Sequence, residues 1–545
     1  MSASSPDVTR HRIDVVKRNG GIRGRVAKLV TAEASVRKTA IVGFIATLAI
    51  FGTSCTRGFP FPKITAEPWF LTYFTSNPFI RYAFLAIFIA SVIALCWAWL
   101  QLFRHAKNGT LKVSNVWWIW VLWALPLALT APLFSGDVFV YYVDGEAHLR
   151  GYSIYEAGVS AMGPDDLVHM VHPIWQDTKT MYGPVFMRLA TGVAWLANGN
   201  VVLGVAIFKA MAILSVALIG VAAQRMAPFF GCKATEAMVL AMVNPLVLLH
   251  FVSGAHNDAM MVGLLAIGLA LGVTYRNWLL RILGLVLIGL AASIKLPAFA
   301  GLIMLGWIWA GERQRVTWRA RFVGAALTGI LGLVIIELLT LATGLGWGWL
   351  HALDVPGLAH PVFAPANALA YALGGVFGVE KGVNEVTRFV ANIVAVGLCV
   401  YFILRLGKNA TAQQIVRGLG WALLAVGWLG PSVYAWYLIW GIAIVAIAGP
   451  GRMEKMLIGL SVVACFTIYP SSGGVLDTGP RWLSVVFSYL VVLALTIAAL
   501  RVLAIHGITA RSMGRRVTGW FRAIGNLIRR LFGRKRPSRN FVTTS

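Results

Sequence analysis

Ser135–Pro184, SGDVFVYYVDGEAHLRGYSIYEAGVSAMGPDDLVHMVHPIWQDTKTMYGP, is the longest polar segment between the apolar runs of this chain, and its reading decides the fold. It holds Asp137, Asp144, Glu146, Glu156, Asp165, Asp166 and Asp177, a large share of the 20 acids in 545 residues. Nearly everything else is apolar helix or basic tail, so chemistry is expected here. With 58% hydrophobic and 12% charged residues and a mean hydropathy of +0.76, the chain lies far from the composition of a soluble domain. It reads as an all-α polytopic membrane protein.

The net charge of +27 does not point to nucleic acid, and no nucleic acid is expected as a partner. The basic residues gather in two tails and a few short loops, the distribution of the positive-inside rule, and their partner is an anionic leaflet. Five cysteines, Cys55, Cys96, Cys232, Cys399 and Cys465, stand singly without metal or disulfide spacing and read as small buried hydrophobes. No secretory signal peptide is expected, because the first apolar run begins near Ala40 after a long polar lead-in.

Outward from the polar stretch, the charge pattern fixes a frame. Residues 1–38 form a basic arm assigned to the cytoplasm. Spans at 40–54, 79–103 and 115–134 then bring Asp137 to the outer face. Val185–Ala197 is apolar but shorter than the ~20 residues needed to cross the hydrocarbon. It reads as a juxtamembrane or re-entrant helix, because a crossing there would put Arg276 and Arg281 outside. Further spans follow at 201–224, 237–253, 259–275, 280–294, 297–311, 322–343, 389–406, 416–430, 433–449, 456–470 and 482–504. About fourteen spans result, and five later basic loops all face the cytoplasm. The domain reading is a basic arm over 1–38, a transmembrane catalytic domain over 39–504 with an outer loop at 135–200, and a basic amphipathic tail over 505–545 that lies on the inner leaflet. Four segments share the outer side: 135–184, Gly254–Asp258, 344–388 and Ser471–Arg481.

Asp137 follows an apolar helix by three residues and precedes Phe139, Tyr141 and Tyr142. A carboxylate among aromatics at a membrane boundary can hold a raised pKa and act as a general base; equally, it can mark where a helix leaves lipid. Lys295 stands in an apolar stretch, where a lysine is a functional hypothesis by default, with snorkelling to the interface as the alternative. Asn257 and Asp258 suit a helix N-cap. His169 and His172 share a helix face near three acids, but Pro173 ends that helix and no HExxH frame exists, so no metal site is expected.

The spacing of Gly136-Asp137, Tyr141-Tyr142, Gly145, Gly151, Tyr155 and Tyr182-Gly183-Pro184 resembles the first outer loop of the C-superfamily (GT-C) of integral-membrane glycosyltransferases. Within it the chain is most similar to the actinobacterial polyprenol-phosphate-mannose-dependent α-(1→6)-mannosyltransferases; Asn244-Pro245 and His256-Asn257-Asp258 look like elements of that group. The resemblance implies inverting transfer of mannose from a polyprenyl (decaprenyl) phosphomannose donor to a phosphoinositol-mannoside or other glycolipid mannan acceptor, at the outer face of the plasma membrane. Asp137 is then the base, and Lys295, His256 and Arg188 are candidates for the donor phosphate, with Arg481 a further cation in an outer loop. Tyr141, Tyr142, Asp144, Tyr182 and Asp258 are the expected sugar and acceptor contacts. Two departures stand out: Ser153-Ile154-Tyr155 replaces the Asn-Pro-Tyr of many members, and Phe139 occupies a position where some carry a second acid. Without that acid pair, no metal cofactor is expected. The rivals are an arabinofuranosyl or other lipid-phosphate-sugar transferase and a flippase of lipid-linked sugars, the latter opposed by the lack of an internal repeat.

Overall fold

The computed structural model describes residues 33–54, 78–312, 316–353, 355, 364–377, 380–430 and 433–466, with isolated positions between 486 and 493. Residues 1–32 of the basic arm, Arg481 with its loop, nearly all of the last expected span and the amphipathic tail lie outside these residues. Met1–Tyr489 and Leu490–Ser545 group as two compact units, and the helices and the candidate site all belong to the first.

Among the described residues the elements are helices and turns, with no strand. The first half runs through α1 (Glu33–Ser54), α2 (Pro78–Lys107), α3 (Val113–Ala128), α4 (Asp137–Leu149), α5 (Pro184–Ala197), α6 (Val201–Phe229) and α7 (Ala234–Ala241). A π-turn at Leu248–Ser253 leads to α8 (Asp258–Thr274), α9 (Trp278–Ile294), α10 (Phe299–Ala310) and α11 (Trp318–Thr343). The chain continues with α12 (Pro365–Phe377), α13 (Glu380–Arg405), α14 (Ala412–Leu429), α15 (Ala435–Ala448) and α16 (Glu454–Ala464). Five helices are long and apolar enough to cross a membrane, in α1, α2, α6, α11 and α13, and the bent pair Ala234–Ala241 with Pro245–Ser253 makes a sixth. Several other expected spans coincide with apolar helices of 10–17 residues.

The bend in that pair, 41°, has a local cause. Pro245 cannot donate a backbone hydrogen bond, and Asn244 substitutes with its side chain: Oδ1 accepts from Leu246 N at 3.0 Å, while Nδ2 donates to Leu240 O at 3.2 Å and to Ser461 Oγ on α16 at 2.9 Å. The Asn-Pro element is therefore a hinge pinned to a neighbouring helix. α5 is a 14-residue helix ended by Asn198 and Gly199, both with positive φ, which turn the chain back into α6.

α15 is buried along its whole length and α8 nearly so, as expected for helices that are apolar on every side. α8 and α9 approach through Gly268 and Gly284, where a Cβ on either would strike the other's carbonyl. Gly145 likewise brings α4 against the backbone of α5 at Ala190. Basic side chains cluster at one end of these helices. Arg225 lies 4.5 Å from the Tyr275 ring past the end of α8, Arg281 pairs with Glu312 at 2.7 Å near the start of α9, and Arg417 donates to Ala448 O at the end of α15. The opposite ends of the same three helices carry the candidate site.

Candidate active site

α3 contains Pro126 and ends at Ala128, and Phe134 with φ 68° turns the chain into α4. Ser135 organises the new helix start. Its Oγ accepts from Asp137 N at 3.1 Å and donates to Asp137 Oδ1 at 2.6 Å, so the carboxylate is held at a helix N-terminus, where its charge is favoured. The other half of the site comes from the π-turn. After Ser253 the chain passes Gly254 and Ala255, the latter in the left-handed region at φ 53°, and delivers His256, whose Nδ1 lies 3.3 Å from Asp137 Oδ2. His256 stacks on Trp436 at 3.8 Å between centroids, and Trp436 stacks on Tyr434 at 4.4 Å.

Asn257 and Asp258 begin α8, yet neither caps it through its side chain, which corrects the capping expectation. Tyr141 Oη donates to Asn257 Oδ1 at 3.4 Å. Asp258, fully buried, accepts from Lys295 Nζ at 2.9 Å on each oxygen and from Trp440 Nε1 at 2.6 Å. Lys295 is extended (φ −151°) at the end of α9, just before Leu296-Pro297, and its ammonium also lies 4.7 Å from the Tyr437 ring. Its side chain remains 15% exposed and that of Asp137 25% exposed, so both reach the site's open side.

The electrostatics at Asp137 differ from the sequence expectation. Burial disfavours its charge, but His256, the Ser135 hydroxyl and the Lys295 ammonium together outweigh burial and hold its pKa below the ordinary value. The raised carboxyl is Asp144, two turns further along α4, which burial pushes to about 7 against a hydrogen bond from Thr180.

Of the residues singled out in the sequence, Asp137, Tyr141, His256, Asp258 and Lys295 come together, with Tyr182 edge-on to Tyr141 at 5.0 Å. Three do not join them. Tyr142 is buried on another side of α4, its ring against Gly204 of α6. Asp144 is buried beneath the loop that carries Thr180. Arg188 lies on the exposed stripe of α5, whose buried stripe carries Phe186, Met187 and Ala190. Asp258 is a partner that fixes Lys295, with no surface left for a sugar. Sequence reasoning missed Ser135, Asn257 as a site residue and Trp440. For Trp440 a signal existed, since Trp436, Tyr437 and Trp440 fall on adjoining turns of α15. His172 Nδ1 accepts from Ile174 N at 3.3 Å, a cap on the short helix Pro173–Gln176, and Glu337 accepts from Trp347 Nε1 at 2.7 Å.

A carboxylate, an imidazole and a lysine thus meet at one end of an apolar helix bundle. The family model described as alpha-(1→6)-mannopyranosyltransferase, N-terminal domain, matches residues 40–311, and that of the MptB C-terminal domain matches residues 364–501. Alpha-(1→6)-mannopyranosyltransferase A of Mycobacterium tuberculosis is 32% identical over 377 residues, covering 67% of this chain and 71% of that protein. Alpha-(1→6)-mannopyranosyltransferase B of Corynebacterium glutamicum is 28% identical over 396 residues, covering 67% and 64%. No solved structure matches. The chain belongs to the alpha-(1→6)-mannopyranosyltransferase family and is a membrane mannosyltransferase.

Proposed function

We propose that this enzyme forms α-(1→6)-mannosidic links by moving mannose, with inversion, from a β-linked polyprenyl phosphomannose to the 6-hydroxyl of a lipid-anchored mannan acceptor. The observation that carries the reading is the meeting of Asp137, from the outer polar stretch, with His256 and the Asp258–Lys295 pair. In this reading the acceptor oxygen attacks the anomeric carbon as its proton passes to Asp137. The bond from that carbon to the phosphate oxygen breaks, and polyprenyl phosphate leaves with the electron pair. Lys295, oriented by Asp258 and Trp440, and the His256 ring beside Asp137 favour the charge gathering on the leaving phosphate. Arg188 is left out of this set because it is exposed on α5.

The reading further takes the fold as GT-C-like with about fourteen spans, puts the site at the outer face of the plasma membrane with both termini cytoplasmic, and uses no metal. The test is mannosyl transfer in nanodiscs from labelled polyprenyl phosphomannose to an α-(1→6)-mannoside, with and without EDTA. Asp137→Asn is expected to lower kcat by about 10²- to 10⁴-fold while donor binding persists. Wild-type activity is expected to survive EDTA. Transfer undiminished by Asp137→Asn would refute the base, and loss with EDTA that returns with a divalent cation would refute metal independence.

A further inference from the structure

α6 carries a lysine eight residues in, within VVLGVAIFKAMAILSVAL, where a cation is costly and calls for a reason. Lys209 is 5% exposed, so it does not snorkel to an interface. Its ammonium donates to Ala128 O at 3.1 Å, to Thr130 O, and to Thr130 Oγ1 at 3.3 Å. The two carbonyls lie at and just beyond the end of α3, where carbonyls lack partners within the helix and favour a cation. Among the described residues no carboxylate pairs with it, so oxygen dipoles alone hold its charge.

The Thr130 hydroxyl extends the contact. It donates to Leu127 O at 2.7 Å, and Ser253 Oγ lies 2.6 Å away, the serine being positioned to donate to it. Ser253 closes the π-turn, three residues before His256. Thr130 precedes Ser135 and Asp137 on the other segment. One buried amine therefore ties the exit of α3 to the entry of α8, the two stretches that must meet for His256 to stand beside Asp137.

We propose that Lys209 is a positioning residue for the transfer reaction: through Thr130 and Ser253 it locks together the two segments that deliver Asp137 and His256. The proposal rests on the reading of Asp137 as base. It predicts an effect distinct from general loosening. The groups facing Asp137 are His256, Lys295, the Ser135 hydroxyl and the hydroxyls of Tyr141, Tyr182 and Tyr437. Of these, His256 is the one whose place depends on the Thr130–Ser253 bridge. Losing that neighbour removes the largest influence that lowers the Asp137 pKa, and the acidic limb of the rate profile moves to higher pH.

The experiment measures kcat, KM and the pH profile of mannosyl transfer by the full chain in nanodiscs for Lys209→Met, Ser253→Ala, Thr130→Val, Thr130→Ser and Asp137→Asn. Lys209→Met is expected to lower kcat by about 10- to 100-fold with KM within about twofold, as for a small misplacement of reacting groups, and to shift the acidic limb upward. Thr130→Val should shift it in the same direction, while Thr130→Ser keeps the wild-type profile. A folded Lys209→Met with unchanged kcat or limb overturns the proposal. If that variant does not fold, Ser253→Ala, which removes one hydroxyl, decides on the same readouts. An active Asp137→Asn overturns both readings; an inactive one beside unshifted Lys209→Met and Ser253→Ala overturns the positioning role alone.

Discussion

Burial by itself drives a carboxyl toward its neutral form, and Asp137 and Asp144 on one face of α4 show how neighbours decide the outcome. At Asp137 the imidazole, hydroxyl and ammonium win, so the group is ionised through the neutral range, and with Asp137 as the proposed base transfer is expected to fall off as pH drops through the lowered pKa. Replacing His256 by Phe keeps a ring on Trp436 and removes the largest opposing influence. The acidic limb of kcat is then expected to move to higher pH, and an unchanged limb would show that His256 does not tune Asp137. At Asp144 burial wins, with a folded pKa of about 7 against an ordinary 3.8. The sign follows from linkage: between those values the folded state holds a proton the unfolded state has released, so this carboxyl costs stability as pH rises toward 7. The full effect is on the order of a few kcal/mol. Asp144→Asn is expected to raise Tm at pH 7 and above and to leave it nearly unchanged near pH 4, measured by thermal unfolding in detergent. A Tm gain of equal size at both pH values would contradict this.

At the scale of elements, the site depends on where helices stop. α9 ends at Ile294, before Lys295 and Pro297; α3 ends short of Phe134; and the Asn244-Pro245 bend precedes the π-turn that presents His256. These breaks sit at one end of tightly packed helices, and the packing sets their distances. At the α8–α9 crossing there is no room for a side chain on Gly268. Gly268→Leu is expected to separate the two helices, with a cost of about 1–3 kcal/mol or more, and to weaken Lys295's hold on Asp258. A lower Tm with reduced transfer is the expected result; a variant as stable and active as wild type would mean the crossing yields without moving the site.

For the molecule as a whole, the site and the basic cluster occupy opposite ends of α8, α9 and α15, the relative placement that the positive-inside frame requires. The frame makes a direct prediction about sidedness. In a chain freed of its own cysteines, Lys179→Cys in the exposed stretch before α5 should react with a membrane-impermeant maleimide in intact cells, whereas Lys455→Cys at the start of α16 should react only after permeabilisation. The reverse pattern would invert the topology and move the proposed chemistry to the cytoplasmic face.

Composition and charge order, read from the sequence alone, determine that the chain is a helical membrane protein. The polar stretch and its spacing point to Asp137, and the order of motifs points to the family, because hydropathy and short motifs are local properties. The cap reading of Asn257 and Asp258 failed for a physical reason: a residue type that suits a helix start says nothing of a lysine 37 residues on or a tryptophan 182 residues on that claims its oxygens. The sequence shows Lys209 as a lysine in an apolar run but not what holds it, since its partners include backbone carbonyls, which no side-chain pattern reveals. Tyr141 and Tyr142 are alike in sequence and differ in fate because successive helix positions point about 100° apart and only packing assigns the faces. What the sequence determined was which groups exist and at which end of the bundle they belong. Tertiary structure alone decided which of them touch, because contact energies and pKa shifts fall off over a few ångströms and those distances are fixed by helices far apart in the chain.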